Sequence, residues 1–121
     1  MKIEDKQLLL QDLCARLPYG VKISVNDKIE SLQGINISDN VVEYDSCLSS
    51  DIEEVKPYLF PFSSMNEEQS KVYHELISGM FGTNALINFE VLDDFFNKNH
   101  LDYRGLIEKE LAINATCKDI Y

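Results

Sequence analysis

The segment spanning residues 97–107 concentrates side chains that could do chemistry. It reads NKNHLDYRGLI and holds His100, Asp102, Tyr103 and Arg104 within five positions. A histidine paired with a carboxylate is a common general base, so His100 and Asp102 are the first catalytic candidates. Because they are only two positions apart, an unusual turn would be needed to bring their side chains into contact.

Each polar residue of this segment also has a structural role that the sequence predicts. Asp102 stands where a following helix needs an N-cap acceptor. His100 lies near the C-terminus of a preceding helix, where the helix dipole favours it. Arg104 is placed one turn before Glu108, so the two side chains can pair. The segment is therefore predicted to be a corner between two helices, with no catalytic residue.

Other signatures of catalysis or metal binding are incomplete. His74 and Glu75 begin the HExxH pattern, but Ser78 occupies the position of the second zinc ligand. The three cysteines, at positions 14, 47 and 117, are widely spaced and form no CxxC motif, which predicts free thiols in a reducing compartment. Neither GxSxG nor a phosphate-binding glycine loop occurs. The sequence predicts a protein that is not an enzyme and that holds no cofactor or metal.

The composition predicts a single folded domain spanning residues 1–121. Twenty-one acidic residues against eleven basic ones give a formal charge of −10, which would repel nucleic acid and anionic membranes. The N-terminus contains neither a signal peptide nor a membrane span, so a cytoplasmic location is expected. The acidic excess keeps the protein dissolved, and it could also form a patch that meets a basic partner.

Hydrophobic periodicity predicts the elements of the first half of the chain. A helix is expected first, with Leu10, Leu13, Cys14 and Leu17 on its apolar face and Asp12 elsewhere. Alternation then predicts strands over residues 21–25, 28–37 and 41–48, which the short turn at Asn26-Asp27 and a second turn would join into an antiparallel meander.

The second half of the chain reads as mainly helical. A capping box at Ser50 predicts a single helical turn. The proline- and aromatic-rich sequence KPYLFPF (56–62) predicts an extended connector that covers the sheet edge or core. Three helices should follow: one over 66–81, one carrying Val91, Leu92, Phe95 and Phe96, and a short one carrying Tyr103, Leu106, Ile107 and Leu111. The predicted fold is α+β, with an N-terminal helix, a three-stranded meander and three helices packed on one face of the sheet.

Three stretches carry a resemblance to a known group of proteins. DLCARLPYGVK (12–22), VKPYLFPFSSMNEEQ (55–69) and FFNKNHLDYRGLIEKELAINAT (95–116) resemble small uncharacterised proteins of gut Bacteroides-type bacteria and of their phages and mobile elements. This group brings no established activity, catalytic residue or cofactor. The resemblance implies an intracellular accessory protein associated with mobile elements.

Two hypotheses about function follow. The first is a non-enzymatic protein that binds a protein partner, as an adaptor or as an inhibitor of a host factor. The second is a homo-oligomer that sequesters a nucleotide-like small molecule in phage–host conflict, although the negative field opposes an anionic ligand. The residues predicted to bind the partner or ligand are Tyr58, Phe60, Phe62, Tyr103 and Arg104.

Overall fold

The structure is a computed structural model of the chain that describes residues 1–45, 48–79 and 85–121, with only the backbone described at residues 79 and 85–89. The helices of this described part are α1 (Ile3–Arg16), α2 (Glu67–Gly79) and α3 (Ala85–Lys98). Its strands are β1 (Lys22–Val25), β2 (Lys28–Asn36), β3 (Val41–Tyr44), β4 (Ser49–Asp51), β5 (Val55–Leu59) and β6 (Ile113–Asn114). Short 3-10 turns occur at Leu17–Tyr19, Ile52–Glu54 and Phe62–Ser64. The combination of helices with a sheet confirms the α+β class.

The strands form one mixed sheet in the order β4-β3-β2-β1-β5-β6. Neighbouring strands are antiparallel except β5 and β6, which are parallel. The predicted meander corresponds to β1, β2 and β3, although β3 ends at Tyr44 rather than at position 48. Asn26 and Asp27 both have a positive φ, which is typical of the tight hairpin turn predicted for them. The three predicted strands thus belong to a sheet of six.

Residues 56–62 are not the predicted connector. Their first part belongs to β5, which lies inside the sheet between β1 and β6. Pro57 lies opposite Ile23 of β1, and Tyr58 and Leu59 pair with β6. Only the part after Phe60 leaves the sheet, through a 3-10 turn that begins at Phe62.

Helix α1 packs on one face of the sheet through a different stripe from the predicted one. Leu9 and Leu13 are fully buried, and Asp12 and Arg16 are buried on the same side of the helix. Cys14, which was placed on the apolar face, is exposed. The rest of this main core comes from the sheet and from the C-terminal segment: Val21, Ile23, Val25, Leu32, Val42, Tyr44, Ile52, Val55, Leu59, Leu106, Leu111 and Ala112.

Helices α2 and α3 contribute to a second apolar cluster. Leu92 and Phe96 of α3 are buried in it together with Leu101. Partly buried side chains packed against them are Phe60, Phe62, Met65, Tyr73, Leu76, Phe95 and Tyr103. Among the described side chains, the α-helical residues of the main core come from α1, whereas Leu92 and Phe96 of α3 are buried in the second cluster. The predicted packing of the helices on one face of the sheet is therefore not confirmed.

The predicted fourth helix over residues 103–111 is wrong. The chain forms consecutive turns there, and Gly105 and Glu110 both have a positive φ, which breaks a right-handed helix. Leu106 and Leu111 are nevertheless buried in the main core, as the prediction required of its apolar face. The spacing identified the buried residues correctly but assigned them to the wrong local structure.

Two glycines give a matched test of the backbone conformation. Gly20 has a φ of +71°, and an added Cβ would have no atom within 4 Å, so replacement by alanine acts only through left-handed backbone strain. The Cβ of an alanine at position 34 would lie 3.0 Å from Oε2 of Glu43, the far end of a flexible side chain. We expect Gly20→Ala to lower the free energy of unfolding by about 1 kcal/mol.

The Gly34→Ala control should stay within about 0.5 kcal/mol of the wild type, because the Glu43 side chain can move away. Urea denaturation of both variants measures these differences. A larger loss for Gly34→Ala than for Gly20→Ala would contradict the assigned conformations.

Candidate functional site

A buried carboxylate, Asp12, lies at the centre of the most elaborate polar cluster that the structure describes. Its Oδ2 accepts a hydrogen bond from Nε of Arg16 at 2.8 Å, and its Oδ1 accepts one from Nη1 of Arg104 at 3.0 Å. The side chains of Asp12 and Arg16 are completely buried, while that of Arg104 is 17% exposed. One carboxylate is thus shared by two guanidinium groups from distant parts of the sequence.

Arg16 extends this cluster to the segment that follows α3. Its Nη2 donates to the backbone carbonyl of Leu101 at 2.6 Å, across 85 positions of sequence. Its Nη1 is buried and has no hydrogen-bond partner among the described residues. The sequence pattern predicted no buried role for Arg16 and placed Asp12 away from the apolar face of the first helix. The spacing Leu9, Asp12, Leu13, Arg16 was the missed signal, because an acid and a base four apart lie beside two leucines on one helix face.

The ring of Tyr103 carries the cluster into the aromatic core. It stacks on Phe96 with ring centroids 5.0 Å apart, and Phe96 in turn stacks on Phe62 at 5.2 Å. The guanidinium carbon of Arg104 lies 4.4 Å from the Tyr103 centroid, and that of Arg16 lies 5.4 Å from it. Cation–π contacts of this kind hold both arginines against one ring.

The five residues predicted to bind a partner or ligand are mostly engaged inside the protein. Tyr58 is 9% exposed in β5. Phe60 lies next to Tyr121, with centroids 5.8 Å apart, rather than in the same stack as Phe62 and Tyr103. Arg104 is paired with the buried carboxylate. The structure therefore brings Phe62, Tyr103 and Arg104 into one assembly, in which they contact each other or neighbouring core residues.

His100 lies just after the end of α3 and does not form a catalytic pair with Asp102. It has a φ of 56°, the left-handed conformation common just after a helix, and α3 ends at Lys98. Its carbonyl accepts from the N–H of Phe60 at 2.8 Å, which ties this corner to the end of β5. Its ring stacks on Tyr121, with centroids 3.9 Å apart.

Asp102 fulfils the capping role predicted for it, but caps a turn. Its two carboxylate oxygens accept from the backbone N–H groups of Leu106 and Ile107, at 2.8 and 2.9 Å. Both oxygens of Asp102 are therefore directed at backbone donors, while Nδ1 of His100 is buried with no hydrogen-bond partner among the described residues. The corner interpretation of residues 97–107 is confirmed in this respect, even though no helix follows.

Burial sets the protonation of the two stacked rings. Burial, and then the positive charge of Arg16, lower the pKa of His100 from 6.5 to about 4, so its imidazole is neutral at pH 7. Burial raises the pKa of Tyr121 to about 12. The hydroxyl of Tyr121 donates to the carbonyl of Tyr58 at 2.7 Å and accepts from the N–H of Lys22 at 2.9 Å. These groups hold the C-terminal segment on the sheet.

The edge of the sheet at β4 presents a different chemistry. An open groove of about 590 Å³ is lined by Gln33, Glu43, Tyr44, Asp45, Leu48 and Ser49. Leu48 is 61% exposed, Glu43 and Asp45 are exposed carboxylates that also line the groove, and Asp51 is an exposed carboxylate at the end of β4. β4 is the outermost strand at this end of the sheet. The groove thus combines an apolar side chain, negative charge and a strand whose outer edge pairs with no other strand of the described residues.

The described residues form neither a cluster of metal ligands nor a membrane-spanning helix. No group of three or more histidine, cysteine, aspartate or glutamate side chains lies close enough to hold a metal ion in residues 1–45, 48–79 and 85–121. None of the helices within those ranges combines the length and the apolar character that a membrane span requires. A scan of family models and searches of curated proteins and of solved structures found no match to this chain.

The lowered pKa of His100 predicts a specific dependence of stability on pH. The folded pKa is about 4 and the unfolded pKa about 6.5, so the unfolded chain binds more protons between these values. Stability should therefore fall as the pH falls from 6.5 to 4. After a discount for the partial exposure of the ring, we expect His100 to account for about 1–2 kcal/mol of this loss.

The comparison with His100→Gln isolates this contribution, because every other ionisable group is the same in both proteins. The free energy of unfolding is measured in urea at several pH values. The free energy of unfolding of the wild type should decrease relative to that of the variant as the pH falls from 6.5 to 4. A difference that stays constant from pH 6.5 to 4 would show that the His100 imidazole is not buried as described.

Proposed function

We propose that this protein acts without catalysis, by binding a positively charged segment of another protein at the groove beside β4. The observation that carries this proposal is a groove, lined by the exposed side chains of Leu48, Glu43 and Asp45, beside the outermost strand β4, whose last residue is the exposed Asp51. Complementary charge speeds encounter and selects partners, while a central apolar contact supplies much of the binding energy. A net charge of −10 extends the attraction for a basic partner over the whole molecule.

The state of the interior polar groups supports a non-catalytic role. Catalysis needs a base or nucleophile that can reach a substrate. Asp12, Arg16 and Arg104 are bonded to one another or to backbone, and Asp102 is bonded to two backbone N–H groups. His100 faces the ring of Tyr121. These side chains therefore stabilise the fold, and among the exposed side chains the carboxylates Glu43, Asp45 and Asp51 lie near the β4 edge.

The same geometry makes a nucleotide-like ligand the weaker alternative. Such a ligand needs aromatic faces for stacking and cations for phosphate. The ring of Tyr103 lies between Phe96 and the Arg104 guanidinium, and Arg104 is paired with Asp12. A ligand at these residues would have to displace both contacts. We therefore favour the protein partner, and we further propose a cytoplasmic accessory role, which the resemblance to mobile-element proteins implies.

Capture from a lysate of the native host, followed by binding of the purified candidate, tests this proposal. Proteins and small molecules retained by the immobilised protein are identified, and each retained protein is purified and titrated. We expect a protein with a basic segment, whose Kd weakens by about tenfold or more between low and moderate salt. Retention of a nucleotide alone would contradict the proposal.

A pair of triple variants separates the groove from net charge. Glu43→Gln, Asp45→Asn and Asp51→Asn together remove three charges from the groove and β4, whereas Glu75→Gln, Glu90→Gln and Glu108→Gln remove three exposed charges elsewhere. The groove variant should weaken the Kd by about tenfold or more, and the control by no more than about threefold. Equal losses in both would assign the binding to overall charge and not to the groove.

A further inference from the structure

The hydrogen bonds between β3 and β4 show which backbone groups of β4 point out of the sheet. Tyr44 N–H donates to the carbonyl of Leu48, and Ile52 N–H donates to that of Asn40. Hydrogen-bonded and non-hydrogen-bonded pairs alternate along an antiparallel ladder, so Val42 and Ser50 form the bonded pair between them.

The intervening pairs are Glu43 with Ser49 and Val41 with Asp51. In such non-hydrogen-bonded pairs the N–H and C=O groups point away from the partner strand. The backbone groups of Ser49 and Asp51 are consequently directed out of the sheet, two residues apart, which is the repeat at which another antiparallel strand bonds.

We propose that the partner adds an extended segment to β4 as a seventh, antiparallel strand, bonded to the backbone of Ser49 and Asp51. This inference rests on the proposed function and specifies how the partner binds. Addition of a strand to an open edge is an established recognition mode, in which backbone bonds give affinity and alternate side chains give specificity. Two bonded pairs supply four backbone hydrogen bonds to a segment of at least three residues.

The faces of β4 specify the side chains of this added strand. Val42 is buried in the main core and lies opposite Ser50, whose Oγ is 2.9 Å from the hydroxyl of Tyr44. Ser50 and Leu48 therefore point to the core side of the sheet, and Ser49 and Asp51 point to the other side, together with Glu43. The side chain of each added residue lies on the same face of the sheet as the side chain of the β4 residue opposite it.

The chemistry of the partner follows from these positions. Residues opposite Asp51 and Ser49 lie on the face that carries Asp51 and Glu43, so lysine or arginine fits there. The residue opposite Ser50 meets a hydroxyl and is expected to be small or polar. The residue opposite Leu48 lies on the same face as that 61% exposed side chain, so it is expected to be apolar. In chain order the partner segment reads basic, small, basic, apolar.

Charge and length explain why this edge is favoured over the other. The opposite edge, β6, has only two residues, Ile113 and Asn114, and the Asn114 side chain accepts from the N–H of Thr116. β4 is longer and is flanked by a groove with exposed carboxylates. Native edges are commonly protected by charge, and here Glu43, Asp45 and Asp51 make this edge predominantly negative, which repels another copy of this edge but attracts a basic segment.

Amide hydrogen exchange with a defined peptide tests the strand addition. The probe is an acetylated and amidated peptide whose central residues are lysine, serine, arginine and leucine, flanked by glycines. We expect the amides of Ser49 and Asp51 to exchange at least about tenfold more slowly when the peptide is bound, because they then donate to its backbone. The same peptide with glutamates in place of lysine and arginine is the control and should not protect them.

Replacement of Ser49 provides the matched variants. Ser49→Pro removes the outward N–H from an edge position without removing a bond to β3, and Ser49→Ala keeps the N–H. The proline variant should weaken the Kd for the peptide by at least about tenfold, and the alanine variant by no more than about twofold. Urea denaturation confirms that both variants are folded before they are titrated.

Two results would overturn the strand addition. The first is peptide binding without slower exchange at Ser49 and Asp51, and the second is unchanged affinity in a folded Ser49→Pro variant. Either result leaves the proposed function standing if the purified partner still binds in a salt-dependent way through the groove. A separate result would contradict the proposed function: the Kd for the purified partner does not change when Glu43, Asp45 and Asp51 are replaced.

Discussion

The sharing of the Asp12 carboxylate between Arg16 and Arg104 is the interaction on which the rest of this fold depends. Burying a carboxylate is costly unless its charge is balanced and its oxygens are bonded. Here each oxygen has its own guanidinium, at 2.8 and 3.0 Å. Removing one member of such a buried set leaves another charge unpaired, which typically costs about 3–5 kcal/mol. The cluster therefore fixes the contact between α1 and the turns that follow α3.

This contact organises the two apolar clusters into one framework. Arg16 binds the carbonyl of Leu101, and Leu101 belongs to the cluster of α2 and α3, while Leu106 a few residues later belongs to the main core. The ring of Tyr103 lies between them and contacts both arginines. Residues 102–111 form neither a regular helix nor a strand. They are held by the contacts of Tyr103 with the two arginines and the second apolar cluster, and by Leu106 in the main core. The buried polar side chains of this region stabilise the fold. We therefore assign the proposed function to the exposed carboxylates and the edge strand β4.

Local pattern predicted the strands and the helix ends better than the long-range partners. Alternation located β1, β2 and β3, and the turn residues Asn26 and Asp27 were read correctly, because these features depend on neighbouring residues. The two prolines suggested a connector where β5 lies. Pro57 is accommodated there because β6 pairs only with Tyr58 and Leu59, so the missing N–H removes no bond between the two strands.

The helical spacing over residues 103–111 was misleading for a related reason. It predicted burial of Leu106 and Leu111, yet two positive φ angles and the bonds from Asp102 to the next turn produce the same burial without a helix. The pairing of Asp12 with Arg104 spans 92 positions, and nothing in the local sequence of either residue specifies it. Only the spacing of Asp12 and Arg16 on one face of α1 could have indicated a buried ion pair.

The central claim is that Asp12 and Arg104 are energetically coupled across the interface between α1 and the turns after α3. A double-mutant cycle with Asp12→Asn, Arg104→Gln and the combined variant measures this coupling from the free energies of unfolding in urea. The sum of the losses in free energy of unfolding of the two single variants should exceed the loss of the double variant by about 1 kcal/mol or more. Either substitution alone already breaks the shared pair. Losses that add to within about 0.3 kcal/mol would show that the two side chains do not interact and would contradict this account of the fold.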